Sequence, residues 1–463
     1  MYRRTTHRSP VASLLAGACV AMAFAAPSAS ARVPEIPFET FSLDNGLEVV
    51  LSRDTSVPTV HTEIWYKVGS KDEEPGKTGF AHLFEHIMFQ GTKHVPEDAH
   101  FKFLQEAGAS NVNGTTSFDR TNYYETLPAN RLELAMWLES SRMGYLLARP
   151  SFKETLDNQR DVVKNERRQR VENRPMGAVM EEQLENLFPT DHPYHHEVIG
   201  SMDDLTAASV DDIKGFFNRY YAPNNAILVI AGSFDTAATK ALVQKYFGPI
   251  PAAPPIVRRP APKFEFKGPK TIEMEAKVKL PTAFLTWQSV PMYQPGDAEM
   301  DVLAAILTDG KTSRLHKRLV YDLKVAQQVE ASQWSLMHAG LFEISVTPLP
   351  GKTLKDVLPL IDEELARLAS TPVDVAEVER VKNKIKTNFF SGLEQVSGVA
   401  GLLAQYKYFT GDPGFIGRDL ARYEAVTPAS LQSFARNLLR KDRRLTVTVT
   451  PNDQAPIMGR VKR

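Results

Sequence analysis

With 463 residues, 43% of them hydrophobic and 24% charged, the chain is long enough for two substantial domains, each burying its own core. Lysine plus arginine equals aspartate plus glutamate at 55 each, so no global field recruits nucleic acid or anionic lipid. Nucleic-acid binding is therefore disfavoured.

At the start, Arg3, Arg4 and Arg8 lead into an apolar stretch over 11–26, followed by small residues ending in Ala29, Ser30 and Ala31. This succession reads as a secretory signal peptide over 1–31. Cleavage after Ala31 starts the mature chain at Arg32 and predicts a periplasmic location. The single cysteine, Cys19, leaves with the apolar stretch, which removes any cysteine nucleophile or cysteine metal ligand and suits an oxidising compartment. A lipoprotein with Cys19 as the lipidated residue is the less favoured alternative, since Ala16, Gly17 and Ala18 fit poorly before it. No later run is long and apolar enough to cross a bilayer.

The alternating segment VPTVHTEIWY, from Val57, predicts a strand followed by a helix. That helix carries HLFEH at 82–86. At about 100° per residue, His82, Glu85 and His86 share roughly a third of the helical circumference, while Phe80, Leu83, Phe84 and Ile87 take the opposite side. A catalytic zinc takes three protein ligands and leaves one position for water, so His82 and His86 form a pair that needs a third ligand. Next to His86 in the chain and about one turn after His82, Glu85 can reach the water, which assigns it as general base. Farther on, 113–117 and 121–126 predict two strands joined through Phe118, Asp119 and Arg120, with Tyr123 and Tyr124 alternating between inside and cleft edge. The helical stretch QRDVVKNERRQR, 159–170, offers Glu166 as the third ligand. Val162 and Val163, one turn earlier, argue that this face points inward, where a carboxylate is costly unless a cation receives it. His192, His195 and His196 in HPYHH fall in a proline-containing loop without a frame for a second metal site.

Prolines concentrate in GPIPAAPPIVRRPAPKF, 248–264, which predicts an interdomain linker between a catalytic domain at 32–247 and a second domain at 265–463. The pattern repeats across it. Ser209 stands opposite Thr427, Phe216 opposite Phe434 and Val229 opposite Val447, at a constant offset of 218 residues. VPTVHTEIWY likewise matches LPTAFLTWQS from Leu280. The expected fold is α+β, two homologous halves that are each a largely antiparallel sheet covered by helices. Where the first half has HxxEH, the second reads DAEMDVLAAILTDG, so only the first half has the residues for catalysis.

GFAHLFEHIMFQGT (79–92), NGTTSFDRTNYYETLP (113–128), NQRDVVKNERRQ (158–169) and YYAPNNAILVIAG (220–232) resemble, in order, the pitrilysin and insulinase family of metallopeptidases, the inverzincins. The branch most similar is that of processing-peptidase-like bacterial proteins. The resemblance implies a zinc endopeptidase with one zinc per chain and two bowl-like halves around a chamber for unfolded peptides or small proteins. It also implies that Asn113, in the position of the N-A-x-T motif, contacts substrate backbone on an edge strand, with Gly114 in place of the usual alanine. Relatives often carry an arginine and, seven residues later, a tyrosine that binds substrate and stabilises the developing oxyanion. Here, in SRLHKRLVYDLKVAQQV (313–329), Val320 and Gln327 take those places, unless Arg318 or Tyr321 substitutes after a register shift. Gln159 replaces a further acid seven residues before Glu166. The expectation is a homologous partner subunit that supplies the Arg/Tyr pair in a heterodimer, otherwise a homodimer or monomer. The alternative function is a non-catalytic structural or assembly subunit.

Overall fold

Twelve strands form two six-stranded sheets in the computed structural model, which describes residues 35–149 and 152–462. The expected signal peptide over 1–31, with Cys19, lies outside the described residues. In the first sheet β1 (Glu39–Ser42), β2 (Glu48–Arg53), β3 (Thr59–Tyr66), β4 (Ser110–Thr116), β5 (Thr121–Pro128) and β6 (Ala226–Gly232) lie in the order β1-β2-β6-β3-β5-β4. The second contains β7 (Lys270–Ala276), β8 (Thr282–Ser289), β9 (Ala326–Ser335), β10 (Gly340–Pro348), β11 (Arg444–Pro451) and β12 (Arg460–Val461), ordered β12-β7-β11-β8-β10-β9. Five places correspond, β2-β6-β3-β5-β4 with β7-β11-β8-β10-β9, while the outermost strand comes first in its half as β1 and last in its half as β12. Only β2 with β6 and β7 with β11 run parallel; the other pairs are antiparallel. The duplicated α+β architecture read from the weak internal repeat is the one observed, with Val229 on β6 and Val447 on β11, both inside their sheets.

The helices α1 (Phe80–Ile87), α2 (Ala99–Glu106), α3 (Leu132–Tyr145) and α4 (Phe152–Arg167) cover one face of the first sheet and enclose its core with Val60, Ile64, Leu228 and Ile230. β6, AILVIAG, is apolar along its whole length because both of its faces are covered. Its second face packs against Ala400, Leu403 and Ala404 of the helix Val396–Thr410, which belongs to the second half. The exchange is reciprocal: Leu184 and Leu187 of α5 (Val179–Leu187), from the first half, pack with Ile272, Leu445 and Val447 of the second sheet. Each fully buried leucine of this kind contributes about 1.5–3 kcal/mol. The two halves are thus interlocked by a helix each.

Between them, 251–269 has no helix or strand. Arg258 fastens this stretch to the first half, donating to the Lys67 carbonyl at 2.6 Å and to Asn225 Oδ1 at 2.8 Å. On α4 the inward face is narrower than the paired valines suggested. Val163 is fully buried but Val162 is 39% exposed, because neighbours on a helix point about 100° apart and only one of them can meet the core. Among the described residues no helix is long and apolar enough to cross a membrane.

Candidate metal centre and active site

α1 forms because Phe80, Leu83, Phe84 and Ile87 recur with helical spacing and bury against the first-half core; the Phe84 ring lies 5.0 Å from that of Tyr221. Its start depends on Gly79, whose φ of 88° is left-handed and whose added Cβ would stand 2.7 Å from the Ile199 carbonyl oxygen. Glycine has no side chain to cap the helix. The carboxylate of Glu73, six residues earlier and buried, does so instead: Oε2 accepts the Gly79 N–H at 2.9 Å and Oε1 accepts the Ala81 N–H at 2.8 Å.

The sequence-predicted ligands come together. Glu166 Oε2 lies 3.0 Å from His86 Nε2 and 3.7 Å from His82 Nε2, and the imidazole rings are 4.9 Å apart at 77°. Ligands about 2.0–2.2 Å from a tetrahedral ion are about 3.3–3.6 Å from one another, so these separations fit a zinc ion with modest adjustment. Among the described residues, this trio is the one group of three such side chains whose ligand atoms all lie within 4.8 Å of one another. His82 Nδ1 is buried with no hydrogen-bond partner among the described residues, while its Nε2 faces the trio. Burial, then the neighbouring His86, lowers the His82 pKa to about 4, which keeps a lone pair available. The hydrogen bond from His86 holds the Glu166 carboxyl below its usual range. Arg170, on a wide helical turn over Arg168–Glu172 that continues α4, places Nε 2.9 Å from Glu166 Oε1 and leaves Oε2 for the imidazole side.

Glu85 shares the ligand face of α1, and burial raises its pKa. It accepts a hydrogen bond from Thr116 Oγ1 at 2.6 Å. Thr116 escaped the sequence reading, although strand alternation puts it on the α1 side of β4 with Gly114. Glu73 left no local signal, because its partners are fixed by the fold. Gly114 has a structural reason: a Cβ there would lie 3.0 Å from the Tyr123 ring and 3.1 Å from that of Phe89. Tyr123 is the inward member of the tyrosine pair, fully buried and donating to the Phe84 carbonyl, whereas Tyr124 is half-buried.

β4 is an edge strand, and a register irregularity between Ser110 and Asn113 re-aims it where Asn113 becomes exposed. Asn113, Thr116 and the metal trio line a chamber of about 1200 Å³. Its opposite wall comes from the second half, with Phe284 on β8, Glu330 and Trp334 on β9 and Glu343 on β10. The histidines of HPYHH are engaged locally: His192 Nδ1 accepts the Tyr194 N–H, and the Nδ1 atoms of His195 and His196 lie 2.9 and 3.1 Å from the carbonyls of Phe188 and Glu197.

Comparison with known proteins gives the lineage. Residues 48–201 match the family model described as insulinase, peptidase family M16, and residues 207–385 match the peptidase M16 inactive domain. The chain is 30% identical to the zinc protease PqqE of Helicobacter pylori over 80% of its own length and 83% of that protein. It belongs to the insulinase family of peptidases. A crystal structure of a protease from Helicobacter pylori has a TM-score of 0.83 at 27% identity, covering 90% of this chain and all of that one. The first half of the periplasmic protease PqqL from Escherichia coli shares the fold, with a TM-score of 0.74 at 20% identity over 91% of this chain and 93% of that one.

Within this insulinase-family chain the second half repeats the scaffold without the ligands. Its helix Asp297–Thr308 also starts after a left-handed glycine, Gly296, and counting from the two glycines puts Glu299, Val302 and Leu303 in the places of His82, Glu85 and His86. Val320 packs against the second-half core and Gln327 is exposed outside the chamber lining. The register-shifted substitutes lie elsewhere too. Arg318 donates to the Leu360 carbonyl and pairs with Glu363, while Tyr321 stands 46% exposed beside the ring of His316. Gln159 is buried on α4.

Proposed function

We propose that the protein is a zinc-dependent endopeptidase of the periplasm that hydrolyses unfolded peptides or small proteins. The carrying observation is the convergence of His82 Nε2, His86 Nε2 and Glu166 Oε2 beside the Glu85 carboxylate in a chamber wide enough for an extended peptide. Zinc, one per chain, supplies Lewis-acid polarisation of a carbonyl and acidifies water. His82, His86 and Glu166 hold it. Glu85, oriented by Thr116, takes the proton from the attacking water and returns it to the leaving amine. Asn113 and the open edge of β4 receive the substrate backbone as an added strand, so the sequence cut is decided by side-chain pockets. On this reading 32–247 is the catalytic domain and 265–463 the enclosing, non-catalytic one, joined by 248–264, after export directed by residues 1–31. The relatives named zinc protease, and one named a periplasmic protease, support the reading.

Replacement of Glu85 by Gln tests it. The variant should retain zinc, measured by metal analysis, and lose about 10²–10⁴-fold in peptide turnover. Normal cleavage by Glu85→Gln removes the base assignment, whereas no cleavage by zinc-loaded wild type, even with a co-purifying homologue, removes the preference for an enzyme over a structural subunit.

A second element of the proposal concerns a partner. With Val320 and Gln327 outside the chamber, and Arg318 and Tyr321 turned elsewhere, a homologous subunit supplies the Arg/Tyr pair in a heterodimer. The purified chain alone should then cleave a mixed peptide pool poorly until a co-purifying homologue is added. Full activity from a monomer excludes that partner.

A further inference from the structure

The turn between β4 and β5 carries Asp119, which is 2% exposed although it joins two strands at a sheet edge. Burial pushes its carboxyl up, with hydrogen bonds from Tyr194 and Met337 opposing. A buried carboxylate is weak as a stabilising device. Its partners say what it does instead. Asp119 Oδ1 accepts the Tyr194 hydroxyl hydrogen at 2.7 Å, and Oδ2 accepts the Met337 N–H at 3.0 Å. The same Tyr194 oxygen accepts the His338 N–H at 3.0 Å. The Asp119 carbonyl accepts from the Tyr408 hydroxyl at 2.8 Å, on the second-half helix that covers the first sheet.

Met337 and His338 form the turn between β9 and β10. The edge hairpin of each sheet is thus joined to the other at its tip, through one carboxylate and one phenol. On the first-half side the tip cannot swing independently, because the Ser70 and Lys71 N–H groups hold the carbonyls of Ser117 and Phe118 at 3.2 and 2.9 Å. β4 bears Asn113 and Thr116, the partner of Glu85; β9 bears Glu330 and Trp334 of the opposite wall.

We propose that the Asp119–Tyr194 junction is a clamp that sets the spacing of the two edge strands facing each other across the chamber, making Asp119 and Tyr194 positioning residues for peptides long enough to touch both walls. Short peptides meet β4 and the metal trio alone and are indifferent to it. The inference rests on the peptidase reading for its effect on substrates, but not for the clamp itself.

Tyr194→Phe removes the bridging hydroxyl and leaves the Asp119 carboxylate and the His338 N–H without it; Asp119→Asn sets an amide donor against a donor while keeping the size. Each is compared with the full wild-type chain. Amide hydrogen exchange at 337 and 338 should accelerate by about tenfold or more in both variants, with the strands of the first sheet unchanged. For two peptides sharing one scissile sequence, of about 6 residues (~20 Å extended) and about 20 residues (~65 Å extended), kcat/KM should fall about tenfold for the longer, chiefly through KM, and stay constant for the shorter. Unchanged exchange at 337 and 338 in whichever variant folds overturns the clamp. Faster exchange with equal losses on both peptides overturns the length selectivity. If wild type, assayed with any co-purifying homologue, cleaves neither peptide, it is the peptidase reading that fails, and the exchange rates still decide the clamp.

Discussion

Glu73→Ala should loosen the metal centre without touching a ligand. The eight-residue helix α1 follows a glycine, and two N–H groups at its start, those of Gly79 and Ala81, are satisfied by the Glu73 carboxylate at 2.9 and 2.8 Å. Glu73 is buried, so water cannot take over both bonds when the side chain is truncated. Leaving a buried donor unsatisfied costs about 1–3 kcal/mol, and two of them about 2–6 kcal/mol, a large part of a typical total of about 5–15 kcal/mol. His82 lies in the same first turn. If the frayed turn must re-form at a cost of about 1–2 kcal/mol, zinc affinity falls about 5- to 30-fold. Glu73→Gln keeps one acceptor and turns an amide donor toward the other N–H, so about half the loss is expected. Urea midpoints of the metal-free chain and zinc titrations against a competing chelator, run on the same samples, measure both effects. A Glu73→Ala stability within about 0.5 kcal/mol of wild type, the range of ordinary surface changes, would refute the capping argument.

Three further outcomes are expected. Glu166→Gln should weaken zinc binding by more than the roughly 10- to 100-fold that loss of an outer hydrogen-bond partner costs, and unchanged metal content would strike Glu166 from the ligands. Gly114→Ala should cost about 1–3 kcal/mol, since the Tyr123 ring that meets the new methyl group is pinned by its bond to Phe84 and lies 4.4 Å under the Arg142 guanidinium; an unshifted denaturation midpoint would show that the rings yield. His192 is buried against Phe188 with its pKa lowered to about 4 by burial, then by His338. Below pH ~6.5 the unfolded chain takes up a proton that the folded chain refuses, so this group's stability is intact above pH ~6.5 and is lost as pH falls toward 4, by at most ~3 kcal/mol. The side chain introduced by His192→Asn can still accept the Tyr194 N–H but cannot titrate. The gap between wild type and variant should therefore change across that window, and a constant gap would contradict it.

What was legible in the sequence is what is local in space as well as in sequence. His82, Glu85 and His86 share one helical face by spacing alone, and Glu166 follows from a patterned helix that must bring an acid inward. β4 and β5 were placed within a few residues because alternation and a short turn fix a hairpin. The same locality misled at Val162, where two adjacent apolar residues do not make one face. Glu73, six residues upstream of the glycine that precedes the helix it caps, and Asp119, whose partner N–H lies 218 positions away at Met337, depend on contacts that only the folded chain creates.

On the proposed peptidase reading, the duplication explains why chemistry and enclosure can reside in different halves of one chain. Both sheets share the order of five strands, and each presents an edge strand, β4 or β9, to the chamber. Both have a helix entered through a left-handed glycine, but the second fills the ligand places with Glu299 and Leu303. A metal site therefore cannot form there by small adjustment, because a leucine supplies no donor atom. What the second half retains is the sheet, its edge and the helix Val396–Thr410 that closes the far face of the first sheet. Removing the second half would expose Val50, Ile227 and Val229, all fully buried now. The metal trio belongs entirely to the first half, yet the sheet that supports it is not a closed structure without the other.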